Sequence, residues 1–233
     1  MKPRCSKQRN HALTLVEVLV VIIVLAVLAV MLLPTGTGGK KTAQKISCIN
    51  NLKQLGLAYK IWAGDNKDKY PMEISVTNGG AMELMNTPDA WKLYQVISNE
   101  LGTPKVIICP EDSLRTSAAT NFGEDLKNKI SYFVSLDTTQ QNPQFLLSGD
   151  DNFLLNNSSV KSGLVNVSSN AAIGWDTTRH GGVVQQGWFR KTKTGQGNGD
   201  LLLEDGSVQS VSRSQLLIYF NQTGLATNRL AIP

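Results

Sequence analysis

An apolar run near the N-terminus constrains this chain more than any other feature. Residues 13–33 carry no charged side chain except Glu17. As a helix that rises about 1.5 Å per residue, these 21 residues would extend about 31 Å, which is enough to cross the hydrocarbon core of a membrane. The sequence therefore predicts a membrane-spanning helix over residues 13–34.

The residues before this run indicate its orientation. Lys2, Arg4, Lys7 and Arg9 are basic, and no acidic residue accompanies them. Because positively charged flanks stay in the cytoplasm, residues 1–12 are expected there and the rest of the chain on the far side of the membrane. A cleaved secretory signal is the alternative, although its apolar core is usually about 7–15 residues long and is followed by a small-residue cleavage site.

The charge distribution argues against a nucleic-acid-binding surface. The chain has 23 basic and 18 acidic residues and a net charge of +5. The first 12 residues contain four of the bases and no acid, so the remainder holds 19 bases against 18 acids. Since the excess charge belongs to the N-terminal leader, no nucleic-acid partner is expected.

The apolar run and its flanks closely resemble the N-terminal signal of type IV prepilins and type II secretion pseudopilins. In those families a prepilin peptidase cuts before a hydrophobic residue, which implies a cut between Ala12 and Leu13 and N-methylation of Leu13. Glu17 then occupies the fifth mature position and Pro34 the twenty-second, where the families have glutamate and proline. The residue before the cut is Ala rather than the usual Gly, and the first mature residue is Leu rather than Phe.

The resemblance implies a role in assembly for Glu17. A carboxylate inside a membrane costs about 2.5–3.5 kcal/mol at a helix centre and less near a helix end, so a charged partner is expected. In the families, this glutamate engages the terminal amine of a neighbouring subunit and sets the register of assembly. A tolerated charge at the membrane interface is the alternative explanation.

A second helix is expected after a glycine-rich break at residues 35–41. Apolar residues then recur every three or four positions and predict one buried stripe over residues 42–63. The stripe consists of Ile46, Ile49, Leu52, Leu55, Tyr59 and Trp62. Residues 46–58 resemble a block, often C-x-N-N-L-K-Q-L-G, of a prepilin-like subgroup abundant in planctomycetes and verrucomicrobia. Gly56 within this helix predicts close packing against a neighbouring element.

Residues 64–233 are expected to form one exported α+β domain. Short apolar runs between turns predict strands near residues 106–109, 130–136, 144–147, 163–167 and 171–175. Asp205-Gly206 between apolar runs predicts a hairpin turn, and Ser212 is expected to cap a helix through Phe220. The resemblance implies a pilin-like fold, in which a long N-terminal helix packs on an antiparallel sheet.

His180 is the one histidine that remains after the predicted cut. The sequence Arg179-His180-Gly181-Gly182, followed later by Asp205-Gly206, is similar to an H-x9-D-G pattern of the same subgroup. Here 24 residues separate His180 from Asp205, and residues 185–198 are interpreted as an inserted hairpin. His180 is expected to hydrogen-bond within this hairpin region rather than to catalyse a reaction or to bind a metal.

Two cysteines, Cys48 and Cys109, also remain after the cut. Two thiols of an exported domain can form a disulfide, and two separate buried thiols are the alternative. The sequence leaves both open. No C-x-x-C pair is present, so no zinc site is predicted.

Calcium is the one cofactor that the resemblance suggests, because pseudopilins can bind it in a C-terminal loop. No contiguous loop supplies the six to eight oxygens that calcium needs, and the acids of this half are interpreted as turn residues on a solvated surface. These acids are Asp150, Asp151, Asp176, Asp200, Glu204 and Asp205.

Together these features predict a structural subunit, with no catalytic residue. The chain is expected to be a pseudopilin or pilin-like subunit of a type II secretion or type IV pilus-like system, anchored in the bacterial inner membrane with its C-terminal domain in the periplasm. Its expected partners are the prepilin peptidase, other pseudopilin subunits in homo- and hetero-assemblies, and the inner-membrane assembly platform. A membrane-anchored binding protein that recognises a polysaccharide or surface ligand through Trp175 and Trp188 is the alternative, and an exported hydrolase ranks third.

Overall fold

The computed structural model describes most of the chain from residue 14 onward. Ala12, Leu13 and Pro34 lie outside the described residues, as does part of the predicted break. The chain divides into two compact units, Met1–Lys40 and Lys41–Pro233. The described residues are 14–31, 38–87, 89–115, 117–123, 126–160, 162–177, 179–180, 185–187, 190–192 and 197–232.

The apolar run forms helix α1 over Leu15–Met31. Thr14 and Glu17 cap its first turn reciprocally, in the pattern of a capping box. The Thr14 N–H donates to Glu17 Oε2 at 2.8 Å, and the Glu17 N–H donates to Thr14 Oγ1 at 3.3 Å. Among the described residues, none of the helices combines the length and the apolarity that a membrane crossing needs. The membrane span of residues 13–34 therefore stays a prediction.

Helix α2 spans Gly38–Asp65 and begins inside the predicted glycine-rich break. Residues 38–41 of that break are helical, and α2 is longer at both ends than the predicted 42–63. The two glycines at its start stand in the first helical turn, where the backbone N–H groups have no partner within the helix. Glycine destabilises the interior of a helix, but this cost does not prevent a helix from starting at glycine. The predicted break was therefore too long at its C-terminal end.

The buried stripe of α2 is confirmed over its C-terminal two thirds. The four predicted stripe residues from Leu52 to Trp62 are buried. Ile46, in contrast, is 53% exposed, and Cys48 faces the core near that end of the helix instead. The prediction was wrong for Ile46 because this residue lies on the N-terminal part of α2, which extends beyond the core.

Short helical turns connect α2 to the sheet. The segment predicted as a strand at residues 106–109 belongs partly to one of them, Pro104–Ile107. Pro104 at its first position fixes a helical φ, and the Thr103 side chain caps it by accepting the Lys105 N–H. A short apolar run does not by itself distinguish a strand from a buried helical turn. The helices of this segment are the 3-10 turns Pro71–Glu73, Val76–Asn78, Met82–Leu84, Ala90–Lys92 and Pro104–Ile107, with α3 at Leu93–Val96 and α4 at Ser98–Leu101.

An antiparallel sheet of six strands follows, and every pair of neighbours in it is antiparallel. The strands in the described residues are β1 Tyr132–Ser135, β2 Leu146–Asp150, β3 Phe153–Leu155, β4 Ser158–Ser159, β5 Gly163–Ser168, β6 Ile173–Trp175, β7 Gln185–Gly187, β8 Arg190–Thr192, β9 Asn198–Leu203, β10 Val208–Ser212 and β11 Thr227–Ile232. The six-stranded sheet has the order β10-β9-β2-β1-β11-β5. Strands β4-β3-β6 form a second sheet, and β7 and β8 form a third.

The structure confirms the α+β class, with an N-terminal helix followed by an antiparallel sheet. Gly206, with a φ of 87°, turns the chain between β9 and β10, as predicted for Asp205-Gly206. Helix α5 spans Arg213–Gln222 with Ser212 as its N-cap, and the β7–β8 pair lies within the predicted inserted hairpin.

The six-stranded sheet separates two apolar clusters. One face, which includes Tyr132 and Leu202, packs on α2 and the helical turns. The other face, which includes Phe133 and Leu201, packs on α5 and the second sheet. A Cβ atom on Gly56 of α2 would lie 2.9 Å from Leu202 Cδ1, which confirms the close packing predicted for this glycine.

A disulfide joins Cys48 of α2 to Cys109 of the segment before the sheet, with the two Cα atoms 4.9 Å apart. Two neighbouring hydrogen bonds also attach this segment to α2. The Asn51 side chain donates to Ile108 O at 2.8 Å, and the Gln44 side chain donates to Pro110 O at 3.0 Å. The segment that follows α4 is therefore fixed to the long helix at three points.

We expect the disulfide to stabilise the folded domain by about 4 kcal/mol, because it closes a loop with a sequence separation of 61 in the unfolded chain. The test compares urea unfolding of the wild type with that of the Cys48→Ala/Cys109→Ala double variant. A reductant should destabilise the wild type and leave the double variant unchanged. Equal responses of the two proteins to the reductant would contradict the expectation.

Candidate functional site

Eight charged side chains form a cluster beside the six-stranded sheet. Six of the eight are at most 5% exposed. So many buried charges are rare unless they are paired or hold an ion, because removing them from water costs several kcal/mol each. The cluster consists of Glu111, Asp112, Arg115, Asp150, Asp151, Arg179, His180 and Asp200.

The sheet places two of the carboxylates side by side. Gly149 of β2 pairs with Leu201 of β9, so the next residues along, Asp150 and Asp200, are neighbours across the two strands. The Asp200 N–H donates to Asp150 Oδ2 at 2.8 Å. Both aspartates are fully buried. This end of the strand pair therefore concentrates negative charge in the interior.

One half of the cluster is a closed set of two arginines and two aspartates. Arg179 Nη2 lies 2.5 Å from Asp112 Oδ2 and 2.6 Å from Asp151 Oδ1. Arg115 reaches the same two carboxylates at 3.1 and 2.7 Å. Arg179 Nη1 also donates to Ser131 O at 2.7 Å. The charges of this half balance.

The pKa values of this half follow its geometry. Burial alone would raise the pKa of Asp112, but the Arg179 guanidinium and the hydrogen bond from Ser131 hold it below its usual value. For Asp151 burial prevails, and its pKa is raised although both guanidinium groups act to lower it. The carboxylates raise the pKa of Arg179 against the effect of burial, so this arginine stays charged.

The other half of the cluster surrounds His180. Its Nδ1 lies 2.7 Å from Glu111 Oε2. Its Nε2 lies 3.1 Å from Asp150 Oδ2 and 3.7 Å from Asp200 Oδ2. The sulfur of Cys109 is 3.8 Å from Nε2. Three carboxylates thus face one imidazole.

The excess of carboxylates around His180 shifts two pKa values. Burial acts to lower the pKa of His180, but Asp150, Asp200 and Glu111 outweigh it and raise the value from 6.5 to about 9. Burial, and then the negative charge of Asp150, raise the pKa of Asp200 above its usual value. In the absence of another cation, a proton on His180 compensates part of the negative charge.

This half also contains unsatisfied oxygens. Asp150 Oδ1 and Asp200 Oδ2 are buried, and neither accepts a hydrogen bond from the residues that the structure describes. The ligand atoms of Asp150, His180 and Asp200 all lie within 4.8 Å of one another, so the three residues could hold a metal ion. Cys48, Cys109 and His180 are equally close, but the two sulfurs are bonded to each other.

The acidic residues of the C-terminal half are not placed as the sequence predicted. Asp150, Asp151, Asp200 and Glu204 are buried, so their interpretation as solvated turn residues is wrong. The prediction holds for Asp205, which is exposed and accepts the Ser207 N–H in the hairpin turn. A sequence does not distinguish an aspartate buried in a strand from one exposed in a turn. A buried carboxylate is stable only beside a partner elsewhere in the chain, and the local sequence does not show that partner.

The expected hydrogen bond of His180 within the hairpin region is wrong. Asp200 of that region lies 3.7 Å away, beyond hydrogen-bond distance, whereas the closer partners Glu111 and Asp150 come from outside it. Sequence reasoning missed Glu111, Asp112 and Arg115 altogether. Their one local signal is a short charged segment directly after the buried residues that end at Cys109.

Replacing Arg179 with methionine is expected to lower the free energy of unfolding by about 3–5 kcal/mol, because the buried carboxylates of Asp112 and Asp151 then share Arg115 as a single counter-charge. The matched control is Arg229→Met, since Arg229 pairs with Asp137 at 2.6 Å but is 49% exposed. The control should change stability by no more than about 1 kcal/mol. Denaturant unfolding of both variants measures the difference, and equal losses would contradict a special role for the buried arginine.

His180 should make the stability of the metal-free protein depend on pH. Because its folded pKa is raised from 6.5 to about 9, its contribution is fully present below pH 6.5 and is lost as the pH rises through about 9. The total loss should be about 3 kcal/mol at most. Unfolding is measured across this range in the presence of EDTA, with His180→Gln as the control that should lack the slope. A wild type that is insensitive to pH over this range would contradict the expectation.

Comparison with known proteins adds one finding, at the other end of the chain. Residues 7–33 match the family model of the prokaryotic N-terminal methylation motif. The matched segment contains the predicted cleavage site and Glu17. The chain has no match among curated proteins and none among solved structures. The match supports a type IV pilin-like protein, since the motif implies processing by prepilin peptidase, a membrane anchor and assembly of the pilin type.

Proposed function

We propose that this protein is a pseudopilin or pilin-like subunit of a type II secretion or type IV pilus-like assembly. The observation that carries the proposal is the methylation motif at residues 7–33. In this proposal Leu13 is the methylated N-terminus, the first helix anchors the subunit in the inner membrane, and the Lys41–Pro233 unit lies in the periplasm. The Cys48–Cys109 disulfide is consistent with an oxidising compartment.

The surface of α1 supports a role in assembly. Between Leu15 and Leu28, its large apolar side chains are from 46% exposed, at Leu19, to 80% exposed, at Leu15. Apolar surface of this extent needs to be covered by lipid or by other protein. Identical helices from neighbouring subunits would cover it in a filament.

A second apolar strip lies on α2. Ile46, Leu57 and Ile61 are 53%, 59% and 47% exposed. Their spacing of 11 and 4 residues places them along one side of a helix with 3.6 residues per turn, while the opposite side is in the core. This strip would extend the contact between subunits beyond α1.

In this proposal Glu17 has two roles, one in capping its own helix and one in pairing with a neighbouring subunit, and a variant can distinguish them. In the single chain its carboxylate closes the capping box with Thr14. In an assembly its charge would compensate the terminal ammonium of Leu13 in a neighbouring subunit. Glutamine at the same position retains a hydrogen-bond acceptor for the cap but carries no charge, because both Glu and Gln occur at this position of capping boxes.

We therefore expect Glu17→Gln to be inserted and cleaved but to fail to enter filaments. The measurement combines the mass of the N-terminal peptide with the amount of subunit in the sheared filament fraction. Thr14→Val is the control, since it removes the side-chain cap and leaves the charge, and it should still assemble. Normal assembly of Glu17→Gln would exclude the charge-pairing role, and a wild-type N-terminus at Met1 would contradict processing.

The alternative of a membrane-anchored binding protein receives less support. Trp175 is 1% exposed and packs so closely on β9 that a Cβ on Gly199 would lie 2.5 Å from its ring. A side chain in this position contributes to the core rather than to ligand binding. Trp188, the other residue considered, lies outside the described residues.

A further inference from the structure

We propose that Asp150, His180 and Asp200 form a binding site for one divalent transition-metal ion, with zinc as the ion that fits best. The proposal concerns the Lys41–Pro233 unit and does not depend on the proposed role in assembly. Nothing in the spacing of histidines and cysteines along the sequence predicts such a site.

The distances between the ligand atoms suit a tetrahedral ion. Metal–ligand bonds of about 2.0–2.1 Å place neighbouring ligands of a tetrahedral zinc about 3.3 Å apart. His180 Nε2 lies 3.1 Å from Asp150 Oδ2 and 3.7 Å from Asp200 Oδ2, on either side of this value. Since the ligand atoms of all three side chains lie within 4.8 Å of one another, they are close enough to converge on one ion.

The surrounding residues orient the ligands in the manner of known metal sites. His180 presents Nδ1 to Glu111 Oε2 at 2.7 Å, which leaves Nε2 directed at the two aspartates. A carboxylate behind a metal-binding histidine fixes its tautomer and orientation. The hydroxyl of Ser210 donates to Asp200 Oδ1 at 2.5 Å and holds this ligand as well.

The buried oxygens without partners point to a cation. Asp150 and Asp200 are fully buried, yet Asp150 Oδ1 and Asp200 Oδ2 accept no hydrogen bond from the described residues. A buried polar atom without a partner is costly, and ionised oxygens are the most costly. A metal ion bound by Asp200 Oδ2 would give this oxygen its missing partner, and its charge would also stabilise the neighbouring carboxylate of Asp150.

The charge count also leaves room for a dication. The two arginines of the cluster are committed to Asp112 and Asp151. The nearest guanidinium nitrogen to the other half, Arg179 Nη1, is 4.0 Å from Asp150 Oδ1. The imidazole of His180 is in contact with Glu111 and Asp150, and the positive charges of Arg179 and Lys45 act on Asp150 and Asp200 from farther away. A divalent ion would bring this half of the cluster closer to charge balance.

The donor set selects the kind of ion. One imidazole nitrogen and two carboxylate oxygens, with a fourth position for water, fit zinc. Calcium requires six to eight oxygens and prefers no nitrogen ligand, so three side chains do not suffice. The sulfurs of Cys48 and Cys109 cannot serve as thiolate ligands while they form the disulfide.

The test uses the full-length protein in detergent, purified without reductant and stripped with EDTA. Zinc or cobalt is added, and bound metal, thermal unfolding and the visible spectrum of bound cobalt are recorded. We expect one equivalent of metal per chain, a higher Tm and the absorption of four-coordinate cobalt. Calcium and magnesium at the same concentrations should not raise the Tm.

Variants assign the ligands. Asp200→Asn keeps the shape of the side chain and should weaken zinc binding by more than about 100-fold, whereas Glu111→Gln should weaken it by about 10–100-fold. Asp89→Asn is the matched control, because Asp89 is an exposed carboxylate paired with Lys92, and it should bind zinc like the wild type. If Asp200→Asn does not fold, the wild-type stoichiometry and Glu111→Gln decide the question.

Three outcomes would overturn the proposal. The first is a wild type that binds no zinc under oxidising conditions. The second is an affinity that is unchanged in both Asp200→Asn and Glu111→Gln. The third is binding that occurs only after reduction, which would assign the metal to Cys48, Cys109 and His180 instead.

Discussion

The ion pairs of the buried Arg179 guanidinium are the interaction on which the rest of the Lys41–Pro233 unit depends. It contacts Asp112 from the segment before the sheet, Asp151 directly after β2 and the carbonyl of Ser131 just before β1. Each group loses its hydration on burial, and only the complete set of contacts compensates this cost. The chain between α4 and β1 is thus held by ion pairs as well as by apolar packing. A partial set would be less stable than an apolar core, so the contacts must form together.

A short segment, residues 109–112, connects this interaction to the other features of the domain. Cys109 is bonded to α2, Glu111 contacts His180, and Asp112 contacts Arg179. Neighbouring residues therefore have partners in the long helix and in the chain after β6. Since the disulfide fixes one end of the segment, the carboxylates that follow are held in position for both halves of the cluster. The ion pairs that hold Arg179 also position the next residue, His180, beside Asp150 and Asp200.

The sequence predicted those features that depend on neighbouring residues. The buried part of α2 follows from apolar spacing, the turn at Gly206 from its residue pair, and the start of α5 from Ser212. The cluster depends instead on partners far apart: His180 and Glu111 are separated by 69 positions, and Asp150 and Asp200 by 50. No local pattern distinguishes such carboxylates from those of a solvated turn. The strand predicted at residues 106–109 is wrong because Thr103 and Pro104 favour a helical turn. The apolar residues alone do not distinguish such a turn from a strand.

The two units treat charge in apolar surroundings differently, and this difference bears on function. In α1 the single carboxylate, Glu17, finds its partners within one helical turn, at Thr14. Such a local cap satisfies hydrogen bonds but supplies no positive charge, so a charged partner from another chain remains favourable. In the Lys41–Pro233 unit the arginine half of the cluster is compensated within the same chain, whereas the histidine half keeps an excess of negative charge. A protein subunit would supply the missing charge in the first unit and a metal ion in the second. The two needs are independent, since a divalent ion at Asp150 and Asp200 would stabilise the Lys41–Pro233 unit whether or not the chain assembles.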